Sequence, residues 1–160
     1  MNKAIFRAET GKQDLIIERE FDVPRDLVFR AHTDPELYGE WLGPKGYTTR
    51  FEKFEPRSGG SYCFTNIDEK GNKSAFHGVY HEVKQPERIT GTFEWEGMPG
   101  HVSLEKSEFY ELPDNRSKVV SHSIYLSIED RDGMLSNGEM EQGINQSYAK
   151  LDELLEELNI

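Results

Sequence analysis

From residue 13 to about residue 126, apolar side chains recur mostly at every second position; from about Asn137 onward they recur every third or fourth. The first period belongs to half-buried strands and the second to an amphipathic helix. QDLIIEREFDV (13–23) predicts the first strand. Pro24 then opens PRDLVFRAHT, whose Leu27, Val28 and Ala31 make a helical stripe. DPELYGEWLGPKGY (34–47) predicts a second, shorter helix. Asp34 suits its cap and Pro35 its first position, and Gly43-Pro44 stops it. So short a helix cannot stand alone in water, so Trp41 on its last turn must pack onto something else. Six further strands are predicted, in YTTRFEKFEP, SYCFTNID, AFHGVYHEV, ITGTFEWEG, VSLEKSEFYEL and SKVVSHSIYLSIE, joined by short polar links such as DEKGNK. The final stripe of Met140, Ile144, Tyr148, Leu151, Leu155 and Leu158 predicts one helix of about six turns. Residues 1–12 read as a loose N-terminal arm or an added edge strand.

The order is β-α-α-β6-α, an α+β chain of one domain spanning 1–160. A seven-stranded antiparallel sheet must bury one face, and the single long helix offers one apolar stripe to cover it. The prediction is a curved sheet wrapped around the C-terminal helix, with a cavity where the two surfaces diverge. Alternation places Tyr62, Phe64, Phe76, Gly78 and Tyr80 inward. It adds Ile89, Gly91, Phe93, Trp95 and Phe109, and on the last strand Val120, His122, Ile124 and Leu126. Gly78 and Gly91, inside neighbouring strands, mark a bend or a close approach. The aromatics either fill a core or line a pocket, and the polar tips of Tyr62, Tyr80 and Trp95 favour the pocket.

Charge narrows the function. The net charge is −11 and the pI about 4.9, which repels phosphate backbones and anionic membranes. Nucleic acid is excluded as a partner, because the densest basic stretch, Lys45 to Arg57, is broken by Glu52 and Glu55. No apolar run is long enough for a signal peptide or a membrane span, so the expectation is a cytoplasmic protein without membrane insertion. Cys63 is the only cysteine, and it alternates outward from Tyr62 and Phe64. His77 and His81 lie on one strand face about 13 Å apart, too far to share a metal. No metal site, no cofactor motif and no catalytic set is predicted. His122, facing the cavity, would hydrogen-bond a ligand oxygen or do acid–base work.

The runs EREFDVPRDLVFRAHTDPELYGEWLGPKGY, RSGGSYCF, FHGVYHEVKQPERI and DGMLSNGEMEQGINQSYAKLDELLEEL resemble one family over about residues 14 to 158. The chain is similar to the START-like superfamily, which shares the helix-grip fold of the birch-pollen allergen. Within it, the chain resembles the branch labelled activator of heat-shock-protein-90 ATPase homologue-like. The resemblance implies an apolar cavity under the C-terminal helix, with Trp41 of the W-x-GP motif near its edge. Where the family often has Gly-Trp in the last helix this chain has Gly143-Ile144, which reshapes the pocket. Together these place Trp41, Ile144 and Tyr148 beside Tyr62, Phe64, Phe76, Tyr80, Phe93, Trp95, Phe109 and His122 as the ligand-binding set. The expected function is non-catalytic binding of a small hydrophobic or aromatic molecule by a carrier, sensor or sequestering protein. One alternative is a polyketide cyclase or hydrolase with His122 as acid or base. The other is a co-chaperone-like interaction module, with a chaperone or a second copy of the chain as partner and the acidic final helix as docking surface.

Overall fold

A computed structural model describes residues 2–159. Strand β1 (Ile5–Arg7) pairs antiparallel with β2 (Asp14–Phe21). Helices α1 (Arg25–Thr33) and α2 (Pro35–Trp41) follow back to back. Then come β3 (Thr48–Phe54), β4 (Ser61–Ile67), β5 (Lys73–Lys84), β6 (Arg88–Trp95), β7 (Ser103–Leu112) and β8 (Arg116–Tyr125). The chain closes with α3 (Ile128–Leu135) and α4 (Glu139–Leu158). All strands join one antiparallel sheet in the order β1-β2-β8-β7-β6-β5-β4-β3.

The described residues thus form eight strands, not the seven predicted. The additional strand lies in the arm. Arg131 of α3 ties that arm down, donating from Nη2 to the Glu9 carbonyl at 2.7 Å and from Nη1 to the Asp14 carbonyl at 2.8 Å. Helix α3 is itself absent from the sequence reading. Ser127 caps it by accepting the Asp130 amide proton.

The core is shared by one half of the sheet and three helices. Leu15 and Phe21 of β2, Val28 of α1, and Leu151 and Leu155 of α4 meet there fully buried, beside Phe109 of β7 and Val119 of β8. Trp41 finds its partners at this junction. Its ring stacks on Tyr148 of α4 at 6.2 Å and meets the His32 edge at 4.8 Å, and its indole N–H donates to the Ala31 carbonyl at 2.9 Å. The two-turn helix is therefore held by α1 and α4 rather than by itself. Trp41→Phe removes that donor and leaves unfilled volume, so unfolding in urea should lose about 2 kcal/mol.

Candidate functional site

Helix α4 grips the β2-β8-β7 half of the concave face, and beyond Phe109 only the partly buried Val83 of β5 and Ile89 of β6 extend that apolar cluster along the sheet. The inner faces of β4, β5 and β6 instead carry a row of rings. Tyr62, Phe64, Phe76 and Phe93 follow one another across three strands at centroid separations of 6.0, 5.2 and 5.2 Å, each pair stacked. Tyr80 lies 5.3 Å from Tyr62, and Phe51 of β3 continues the row 5.6 Å from Phe64. Phe64 and Tyr80 are buried, whereas Tyr62, Phe76 and Phe93 keep accessible surface. Trp95 ends the same face at the open end of β6 and is 43% exposed.

Gly78 makes this arrangement possible. The Tyr62 ring lies across β5, and its hydroxyl donates to the Thr92 carbonyl of β6 at 2.6 Å. A Cβ at Gly78 would strike that carbonyl and stand 2.6 Å from the Tyr62 hydroxyl. The predicted close approach at Gly78 is therefore the passage of a tyrosine over the strand. Gly78→Ala should displace the Tyr62 ring and cost roughly 2 kcal/mol by overpacking. Near-ultraviolet circular dichroism and urea unfolding check both effects.

The polar floor of the face lies on β7 and β8. Glu105 is paired across the sheet with Gly91 on one side and Ser123 on the other, on the same strand face as Ser103 and the core residue Phe109. Its Oε2 is buried and has no hydrogen-bond partner. Burial pushes its carboxyl up to about 7 from an ordinary 4.5, while the Ser123 and Ser103 hydroxyls pull the other way. Nearby, Ser107 and Ser121 face each other at 3.3 Å between their hydroxyls. Burial also raises the phenols of Tyr38, Tyr62, Tyr80, Tyr125 and Tyr148, so all are neutral hydroxyls at physiological pH.

His32 of α1 is enclosed by the Tyr38, Trp41 and Phe109 rings. Its Nδ1 lies 2.7 Å from the Val28 carbonyl, so Nδ1 carries the proton. Burial lowers it to about 4, which keeps the imidazole neutral at physiological pH.

The predicted ligand set divides accordingly. Tyr62, Phe64, Phe76, Tyr80 and Phe93 are brought together. Trp41, Phe109 and Tyr148 are buried in the core beside them, and Ile144 is partly buried against that core. His122 is corrected. It faces out of the sheet, with Nε2 2.7 Å from an Asp14 carboxylate oxygen. In β8 it is Ser117, Val119, Ser123 and Tyr125 that are buried, while Ile124 on the His122 side is 41% exposed. The whole predicted inward set of that strand, Val120, His122, Ile124 and Leu126, is thus inverted. Glu105 and His32 went unassigned in the sequence. Yet alternation from Phe109 points straight to Glu105, because both residues share one parity. Among the described residues, no group of three or more His, Cys, Asp or Glu is placed to hold a metal ion.

A curved antiparallel sheet closed over a long C-terminal helix, with an aromatic inner face, defines a helix-grip protein. The chain belongs to the Activator of Hsp90 ATPase homolog 1-like protein family, whose model matches residues 22–156. A solved structure from Rhodobacter sphaeroides is similar, with a TM-score of 0.86 at 20% identity, covering 96% of this chain and 97% of that one. Protein Ms6760 from Mycobacterium smegmatis matches at a TM-score of 0.83 and 20% identity, over 94% and 95% of the two chains. The AHSA1 protein from Silicibacter pomeroyi matches at 0.73 and 22%, over 89% and 96%. A search of curated proteins found no match.

Proposed function

We propose that the protein binds a small aromatic or hydrophobic molecule in a chamber between the β4-β5-β6 inner face and the helices. The observation that carries this reading is the stacked row Tyr62-Phe64-Phe76-Phe93, of which Tyr62, Phe76 and Phe93 are left partly accessible. Rings that served only as core would be sealed like Phe109. Burial of a flat ligand against them supplies affinity, and the neutral tyrosine hydroxyls orient its polar groups. Trp95, Met98 and Met134 are exposed apolar residues on β6, the loop that follows it and α3, suited to guide a ligand in.

The test is native mass spectrometry of the purified protein, then a thermal-shift screen of flavonoids, polyketides, fatty acids and sterols. A co-purified mass, or a Tm that climbs with ligand concentration, supports binding. Ligand quenching of tryptophan fluorescence that disappears in Trp95→Phe and survives in Trp41→Phe would place the ligand at the open end of the row. No adduct and no shift across all classes would remove the reading.

A partner-binding reading has one specific support. A groove of about 500 Å³ runs between α4 and the segment after β2, lined by Asp22, Asp152, Glu153 and Glu156 among others. Its acidity suits a basic protein surface, in keeping with the chaperone connection in the family's name. A salt-sensitive complex in pull-down with a purified chaperone supports it, and no retention at low salt removes it. His122, turned outward, offers no acid or base to the chamber.

A further inference from the structure

We propose that the aromatic face is a receptor for an aromatic ammonium ion, and that the Glu105 carboxylate is its counter-ion. This rests on the ligand-binding reading above and names the class of ligand.

The geometry leads there in three steps. Glu105 stands on the inner face, half-buried, with its Oε2 atom buried and unpartnered. A buried polar oxygen without a donor is costly, and proteins leave very few. Among the described residues Glu105 joins no ion pair, although sixteen pairs form elsewhere. The missing donor must therefore come from what occupies the face. The groups around it are hydroxyls and rings: Ser103 and Ser123 on the sheet, Tyr38 from α2, Tyr62 from β4 and Tyr125 from β8. Rings attract cations through their negative π faces, and a ring-bearing ligand stacks on the same row. A chain of net charge −11 also raises the local concentration of cations at every opening.

Alone in its site, Glu105 holds its proton up to about pH 7. An arriving RNH3⁺ replaces that proton as partner. The carboxyl O–H bond breaks, the proton leaves to solvent, and the carboxylate accepts from the ammonium. The titratable groups that face it from the surrounding elements keep one protonation state at neutral pH, while His122 of β8 lies on the opposite face of the sheet. The phenols of Tyr38, Tyr62, Tyr80, Tyr125 and Tyr148 are all raised, and His32 is lowered to about 4. Arg19, the cation beside Tyr148, is already paired with Asp152. Binding at pH 7 should then release about half a proton per ligand, and progressively less as the pH rises.

Isothermal titration of 1-naphthylmethylamine against its neutral counterpart 1-naphthylmethanol tests this, run in two buffers of different ionisation enthalpy. The expected result is that the amine binds roughly 10- to 100-fold tighter than the alcohol, the difference a charge-assisted hydrogen bond makes. Glu105→Gln should remove that advantage and the proton release, leaving alcohol affinity within about threefold. Glu108→Gln takes the same charge from the opposite face of the same strand, and should change neither. Equal or stronger binding of the alcohol, with Glu105→Gln indifferent, overturns the ammonium proposal and leaves the binding reading standing. Equal losses in the Glu105 and Glu108 variants overturn it too, because the amine would then be reading net charge alone. No binding of either compound overturns the ammonium proposal, and the binding reading then stands or falls on the ligand screen. Circular dichroism of each variant confirms its fold.

Discussion

Asp152→Ala lowers the unfolding free energy by about 3 kcal/mol, because it strands a buried guanidinium. Arg19 projects from β2 with only 3% of its side chain exposed. Its Nη1 and Nη2 donate to the two Asp152 carboxylate oxygens at 2.9 and 2.6 Å, a bidentate clasp between sheet and α4. The guanidinium also lies 4.8 Å over the Phe21 ring and 5.6 Å over Tyr148. Breaking one side of a buried pair costs about 3 to 5 kcal/mol. The Asp152 side chain is 27% exposed, so water takes up part of the loss and the low end applies. Replacing both partners by apolar residues, as in Arg19→Met with Asp152→Leu, should recover most of the stability. The check is urea unfolding of the three proteins. A loss below about 1 kcal/mol in Asp152→Ala, as at a surface ion pair, would refute the buried clasp.

The sequence made α1, α2, α4 and most of the sheet legible because their faces are unambiguous. In α4 the stripe through Tyr148, Leu151 and Leu155 faces the core as its spacing requires. In β4 and β5, Tyr62, Phe64, Phe76 and Tyr80 fell on the correct face because their outward neighbours, Val79 apart, are small or polar. β8 defeated the same reasoning. Its apolar residues Val120, Ile124 and Leu126 share the parity of His122, and hydrophobicity alone turns that set inward. The opposite parity wins because Ser117 bonds the Val23 carbonyl from a fully buried position, Val119 packs in the core, and Ser123 stands opposite Glu105. A concave face that is polar at its floor reads as an outer face. The strand reading therefore failed at the polar part of the candidate site, where local pattern and buried environment disagree. The arm reads two ways in the sequence, loose or an edge strand, because Arg131, more than a hundred residues away, supplies the bonds that hold it.

The same floor and the nearby helix set a pH experiment with opposed signs. Buried His32 titrates at about 4 in the folded chain and near 6.5 when unfolded. Between those values the unfolded chain binds the extra proton. This stabilising contribution is fully present above 6.5 and is lost as pH falls toward 4. Buried Glu105 runs the other way, at about 7 folded against 4.5 unfolded. Its neutral form favours the fold below 4.5, and that contribution is lost as pH rises through 7. Each shift corresponds to about 3 kcal/mol at most, reduced by the partial accessibility of both side chains. Between pH 4.5 and 6.5 the two slopes cancel, so the wild-type stability should be nearly level there. Asp14 and Asp22, both lowered below 3.8 by hydrogen bonds to His122 and Arg116, act only at more acid pH. Single variants should uncover the hidden slopes. His32→Leu should lose up to about 3 kcal/mol as pH rises from 4.5 to 7, and Glu105→Gln should gain about as much from pH 4 to 6.5. Urea unfolding at half-unit pH intervals reads both. Parallel curves for wild type and either variant would show that its buried group titrates alike in folded and unfolded chains. For Glu105 that result would also remove the protonated carboxyl which an ammonium ligand is expected to displace.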